Sequence, residues 1–187
     1  VDECAPFENV YTLALRGLHD RAMNASNNMS DRKEMLQEAL MAQRQMLVDA
    51  IGKRAEDIPQ AFTPYKEVLD VYDQGLELPD DVTIIWPDDN YGYMKRLSSP
   101  KEQKRSGRSG VYYHSSYLGK PHDHLWMNTI SPTLMYEELR KAYDLTADRI
   151  WLLNAGDIKS CEFAVDYFLT MAFDIDSFNF ERAANYR

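Results

Sequence analysis

The run "VTIIW", Val82 to Trp86, carries no polar break, and Pro87, Asp88, Asp89 and Asn90 follow it at once. An unbroken apolar run of strand length is what a strand covered on both faces requires. Strands of that kind belong to parallel sheets covered by helices. "WLL", Trp151 to Leu153, has the same character and also ends in polar residues. These two runs constrain the fold more than any other feature of the chain.

Two further segments, "VYTLALRG" from Val10 and "GVYYHSSYL" from Gly110, are short, apolar and bounded by polar turns. The expected strands are therefore near 10–17, 82–86, 110–118 and 149–155. Helical patterns lie between them. Within 30–76, Ser30 and Asp31 are N-cap candidates for a helix whose Leu36, Leu40, Leu47 and Ile51 share a face, and Thr63 with Pro64 opens a second that stops at Gly75. Ser131 and Pro132 repeat the device for a helix over 132–145, and "CEFAVDYFLTMAF" forms one over 161–173. "SSPKEQKRSGRSG", Ser98 to Gly110, reads as a charged loop.

Strands alternating with helices predict an α/β fold: parallel strands with right-handed crossover helices, in one domain over 1–187. In such folds chemistry sits at the C-terminal strand ends, so the polar residues there are the candidates. They are Arg16, Gly17, His19 and Asp20; Asp88, Asp89, Asn90, Tyr91 and Tyr93; Tyr112, Tyr113, His114 and Tyr117; and Asn154, Gly156, Asp157 and Lys159. Pointed at one mouth, carboxylates, a cation, imidazoles, amides and aromatic rims suit a polyhydroxylated ligand.

Each candidate also has a bland reading. Asp88 or Asp89 can cap a short helix through "NYGYMKRL", although two acids and Asn90 are more than one cap needs. Arg16 can pair with Asp20 or another strand-end acid, and His114 can be a satisfied core histidine.

The formal net charge of −9 opposes a broad nucleic-acid or anionic-membrane surface. No apolar run is long enough to span a bilayer. Two cysteines, Cys4 and Cys161, make no disulfide framework. "PHDH", with His122 and His124, specifies no third ligand, so no metal is expected. "GRSG" and "NAGD" match neither phosphate-loop pattern, no GxSxG is present, and no cofactor is expected. The opening "VDECAPFENV" has neither an initiating Met nor the regions of a signal peptide, which points to a processed chain or a piece of a longer one.

"PQAFTPYKEVLDVYDQGLELPDDVTIIWPDDNYGYMKRL", "GVYYHSSYLGKP" and "WLLNAGDIKS", with "VYTLALRGLHD" upstream, resemble glycoside hydrolase family 115, the xylan α-1,2-glucuronidases. The resemblance is ordered and runs over nearly the whole chain. It implies a segment of a catalytic (β/α)8 barrel in a secreted or periplasmic parent that removes glucuronic acid or its 4-O-methyl ether from glucuronoxylan or aldouronic acid oligosaccharides. It also implies inversion without a metal, for which two carboxyl groups stand about 6.5–9.5 Å apart. By motif, Asp88 and Asp89 are the catalytic candidates. Asn90, Tyr113, His114, Asn154 and Asp157 are the substrate-binding candidates, and Arg16 is the candidate for the uronate carboxylate.

A whole barrel takes about 250 residues and eight strands. About four βα units in 187 residues predict a partial barrel, inactive by itself, that needs the remainder of the parent barrel or self-associates through its open edges. The competing expectation is a non-catalytic α/β module that binds a saccharide or another small polar ligand through the same strand ends.

Overall fold

The computed structural model describes residues 1, 3–17, 21–23, 28–119, 122–125, 129–156 and 158–186. They fall into two compact units, Val1–Ile84 with Arg105–Arg108, and Ile85–Lys104 with Ser109–Arg187.

The first unit holds β1 (Tyr11–Thr12), β2 (Gln60–Phe62) and the start of β3 (Thr83–Pro87), paired in parallel with Tyr11 opposite Gln60 and Phe62 opposite Ile84. Helix α1 (Met29–Ile51) connects β1 to β2, and α2 (Glu67–Asp73) connects β2 to β3. Leu36, Leu40 and Leu47 are the buried stripe of α1, as their spacing requires. The cap is two residues upstream of Ser30, the first of the expected pair: Asn28 Oδ1 accepts from Ser30 N, and Gly52 in the left-handed region ends the helix. Helix α2 starts later than Thr63 and Pro64 predict, after Lys66 at φ 53. Pro64 holds the residue before it extended, which lengthens the exit from β2.

The charged stretch 98–110 is less solvated than its composition implies. Arg105 donates to the carbonyls of Leu78, Pro79 and Val82, and Thr83 Oγ1 donates to Gly107 O. A side chain at Gly107 would place its Cβ 2.5 Å from Val82 O, so only glycine lets the segment lie this close to β3.

The second unit holds the end of β3, β4 (Ser109–His114) and, beyond the antiparallel pair β5 (Tyr117–Gly119) and β6 (His122–Leu125), strand β7 (Trp151–Asn154). Strands β4 and β7 are parallel in the register Val111–Trp151 to His114–Asn154. Asp88 N donates to Tyr112 O at 3.1 Å to continue the β3–β4 pairing. Helix α3 (Pro132–Asp144) is capped by Ser131 Oγ on Leu134 N with Pro132 in the first turn, as the sequence predicts. Helices α4 (Glu162–Phe173) and α5 (Phe180–Ala184) follow β7. Trp86, Tyr113, Phe168, Met135, Leu139 and Met171 are fully buried and form the core of this unit.

The hydrogen-bonded strand order is β1-β2-β3-β4-β7, with β3 passing from one unit into the other. The fold class is α/β: five parallel strands joined by crossovers, a partial (β/α)8 barrel. The additional strand is β2, which the four-unit expectation lacks. The β3–β4 crossover has only a 3-10 turn, Glu102–Lys104, and no α-helix among the described residues. Cys4 is exposed, Cys161 is buried, and both are free thiols. Among the described residues no helix is long and apolar enough to cross a membrane.

Candidate functional site

Pro87 ends β3, and the loop after it closes on itself through its two acids. Asp88 Oδ1 accepts from Asn90 N at 3.0 Å and Oδ2 from Gly92 N at 3.2 Å, while Asp89 Oδ1 accepts from Tyr91 N at 2.8 Å and Tyr93 N at 3.2 Å. The alternation follows from the tight turn, in which Asn90 at φ 73 and Gly92 at φ 90 take the left-handed region that Asn and Gly tolerate best. Met94 N, the next amide, donates to Glu138 Oε2 on α3 at 2.8 Å.

The two acids differ in what they have left. Asp88 also accepts from His114 N at 3.0 Å and lies 2.6 Å from His114 Nδ1, and its side chain has 0% exposure. A carboxylate in that position accepts a hydrogen bond from an Nδ1–H of the imidazole and so fixes the orientation of the ring. Asp89 is half-buried, and among the described residues its Oδ2 takes no hydrogen bond. Of this pair, only Asp89 has an oxygen available to a ligand.

The side chains of β4 divide by strand alternation. Tyr112 and His114 share one face, with ring centroids 4.6 Å apart, and Tyr117 stands edge-on to His114 at 5.6 Å. Tyr113 points the other way into the core. It is fully buried, stacks on Phe168 and donates its hydroxyl to Gly92 O at 2.9 Å. Burial, followed by the charges of Asp88, Glu138 and Asp89, pushes the Tyr113 phenol well above its ordinary range, so it stays a neutral donor behind the loop.

At the end of β7, Asn154 is half-buried and donates Nδ2 to Tyr112 Oη at 2.9 Å, while its backbone oxygen accepts from Ser115 N at 3.0 Å. Asp88, Asp89, Asn90, His114 and Asn154 therefore stand on neighbouring strand ends of one unit, with Tyr113 behind them. Arg16 belongs to the other unit. There its Nε and Nη2 donate to the two oxygens of Glu67 at 3.1 and 3.2 Å, so its fork already holds a carboxylate, supplied by the first residue of α2. His19, Asp20 and Asp157 lie outside the described residues, as do the side chains of His122 and His124. Among the described residues no three His, Cys, Asp or Glu side chains cluster as metal ligands would.

Sequence reasoning placed Tyr112 among the strand-end candidates but assigned it no substrate contact, and it omitted Glu138 altogether. Period-two alternation held the signal for Tyr112, since it groups residues 112 and 114 and sets 113 apart. For Glu138 the signal is an acid set three residues after Met135 and beside Leu139 on the buried face of α3.

Residues 1–187 match the model of glycosyl hydrolase family 115. Among solved structures, the chain is similar to a family GH115 4-O-methyl-alpha-glucuronidase with specificity for decorated arabinogalactans. The identity is 44% and the TM-score 0.90, over 94% of this chain and 23% of that one. The chain thus spans about a quarter of that protein's length. A search of curated proteins finds no match.

Proposed function

Because this chain belongs to glycosyl hydrolase family 115, we propose that it is part of the catalytic barrel of an α-glucuronidase that removes glucuronic acid, or its 4-O-methyl ether, from a polysaccharide branch. The observation that carries this reading is the open Oδ2 of Asp89, on a loop whose backbone amides from Asn90 to Tyr93 are all engaged by Asp88 and Asp89. A carboxylate held still with one oxygen open is what an inverting glycosidase needs as acid or base. In this reading Asp89 acts on the substrate or its water, and Asp88 acts through His114 and the loop.

The second carboxyl group of an inverting pair stands about 6.5–9.5 Å from the first. Asp88 does not suit that role, since all of its acceptor contacts are internal, so the partner acid comes from the rest of the parent enzyme. The amides of Asn90 to Tyr93 are also occupied, so the loop offers no backbone nest for the uronate carboxylate. A cationic side chain must recognise that group; the fork of Arg16, the candidate from the sequence, is engaged by Glu67 in its own unit. Asn90, Asn154 and Tyr112 suit neutral sugar hydroxyls.

Terminal 4-O-methylglucuronic acid is common to the glucuronoxylan expected from the sequence and to substrates a 4-O-methyl-alpha-glucuronidase acts on. The backbone polymer, xylan or arabinogalactan, is the variable to test. The full-length protein should release uronic acid from aldouronic acids or from decorated arabinogalactan. Binding of these sugars without release would favour the non-catalytic module. The isolated 187-residue chain should release none. With Leu152 exposed on the end strand β7 and Phe173 on α4 92% exposed, it should also self-associate, which light scattering reads as a mass above that of one chain.

A further inference from the structure

Resting on the role given to Asp89 above, we propose that Glu138 is a positioning residue for that carboxylate. Five consecutive amides, Asn90 to Met94, are all taken by carboxylates, and the last of them goes to Glu138. Asp88 ties the near end of the loop to β4 through His114, and Tyr113 holds its middle at Gly92 O. Glu138 holds the far end from α3.

That far end controls Asp89. Asp89 N donates to Tyr93 O at 2.9 Å, and Tyr93 N donates back to Asp89 Oδ1 at 3.2 Å, so Met94 directly adjoins the clamp that orients the carboxylate. Glu138 itself has 8% side-chain exposure on a helix face shared with Met135, Leu139 and Ala142. An apolar residue would fill that position at lower cost, because a buried acid must satisfy both oxygens. Glu138 satisfies them with Met94 N on Oε2 and Lys141 Nζ on Oε1 at 2.7 Å. Its distinctive contribution is therefore the link to the loop.

The test uses the full-length protein with Glu138→Leu, Glu138→Asp and Glu138→Gln. Leucine removes the acceptor, aspartate keeps the charge but falls short of Met94 N, and glutamine keeps an oxygen at the right reach. A misplaced reacting group costs up to about a hundredfold in rate. Glu138→Leu and Glu138→Asp should lower kcat about ten- to a hundredfold with KM within about twofold, and Glu138→Gln should restore kcat to within about threefold of the parent. Hydrogen exchange should be about tenfold faster over 88–94 in Glu138→Asp, with Trp151–Asn154 unchanged. Should Glu138→Leu fail to fold, Glu138→Asp carries both readouts. Parental kcat in folded Glu138→Asp, or parental exchange over 88–94, overturns the inference. If the parent releases no uronic acid, the glucuronidase reading fails by itself, and exchange alone decides whether Glu138 positions the loop.

Discussion

The loops after β3 and β7 use the same short polar side chains and spend them in opposite directions. After β3, Asp88 and Asp89 turn back on the amides of their own loop, and Asp88 is left with no exposed side-chain surface. After β7, Asn154 accepts one loop amide, Gly156 N, at a long 3.4 Å, gives its own amide hydrogen to Tyr112, and stays half-buried. The residue type at a strand end therefore does not tell whether the side chain faces a ligand; the number of amides it has already satisfied does. By that count, Asp89 faces outward and Asp88 inward.

The largest effect should divide the two acids by readout. In the full-length protein, on the glucuronidase reading, Asp89→Asn should lower kcat about a thousandfold while unfolding stability changes by no more than about 1 kcal/mol. Equal losses of rate and stability would assign Asp89 to the loop's architecture instead. Asp88→Ala strips an acceptor from the Asn90, Gly92 and His114 amides at once, and should cost about 3 kcal/mol or more in urea unfolding. Asn154→Ala should cost only about 1 kcal/mol in the same experiment. A cost for Asn154→Ala equal to that of Asp88→Ala would erase the contrast between the loops.

Gly156→Ala probes the β7 loop alone. Gly156 sits at φ 58, and a Cβ there would lie 2.5 Å from Ser116 Oγ, a flexible hydroxyl that can rotate away, so the loss should be about 1–2 kcal/mol, seen as a lower Tm. The last effect appears only at alkaline pH. Burial is the first cause that raises Tyr167 from 10.0 to about 12, and the same cause raises Tyr113 further. Both groups are neutral in the folded state at pH values where the unfolded chain has already lost the proton. Their stabilisation is complete below about pH 10 and is lost for Tyr167 as pH rises to about 12. Urea midpoints measured across that window should fall, and should fall less in Tyr167→Phe.

Much of this was legible in the sequence. The unbroken "TIIW" and the Ser131–Pro132 start carry strong local signals, and β3 and α3 lie where those signals put them. Strand β2 was not legible, because "QAF" is three residues between Pro59 and Pro64, too short to show a period. "GVYYHSSYL" reads as one strand, but Ser115 and Ser116 break it into β4 and β5. Within the candidate site, residue types pointed to the loop after β3, whereas the difference between its two acids depends on the direction of individual N–H bonds. Glu138 was hidden in a helix pattern that looks complete without it.

The alternation in the β3 loop also fixes its length. Asp88 serves the amides of residues 90 and 92, and Asp89 those of 91 and 93. Inserting or deleting one residue between Asp89 and Met94 would reverse that parity, handing each amide to the other acid and displacing Met94 from Glu138. A related chain could therefore exchange side chains along this turn more readily than it could change the turn's residue count.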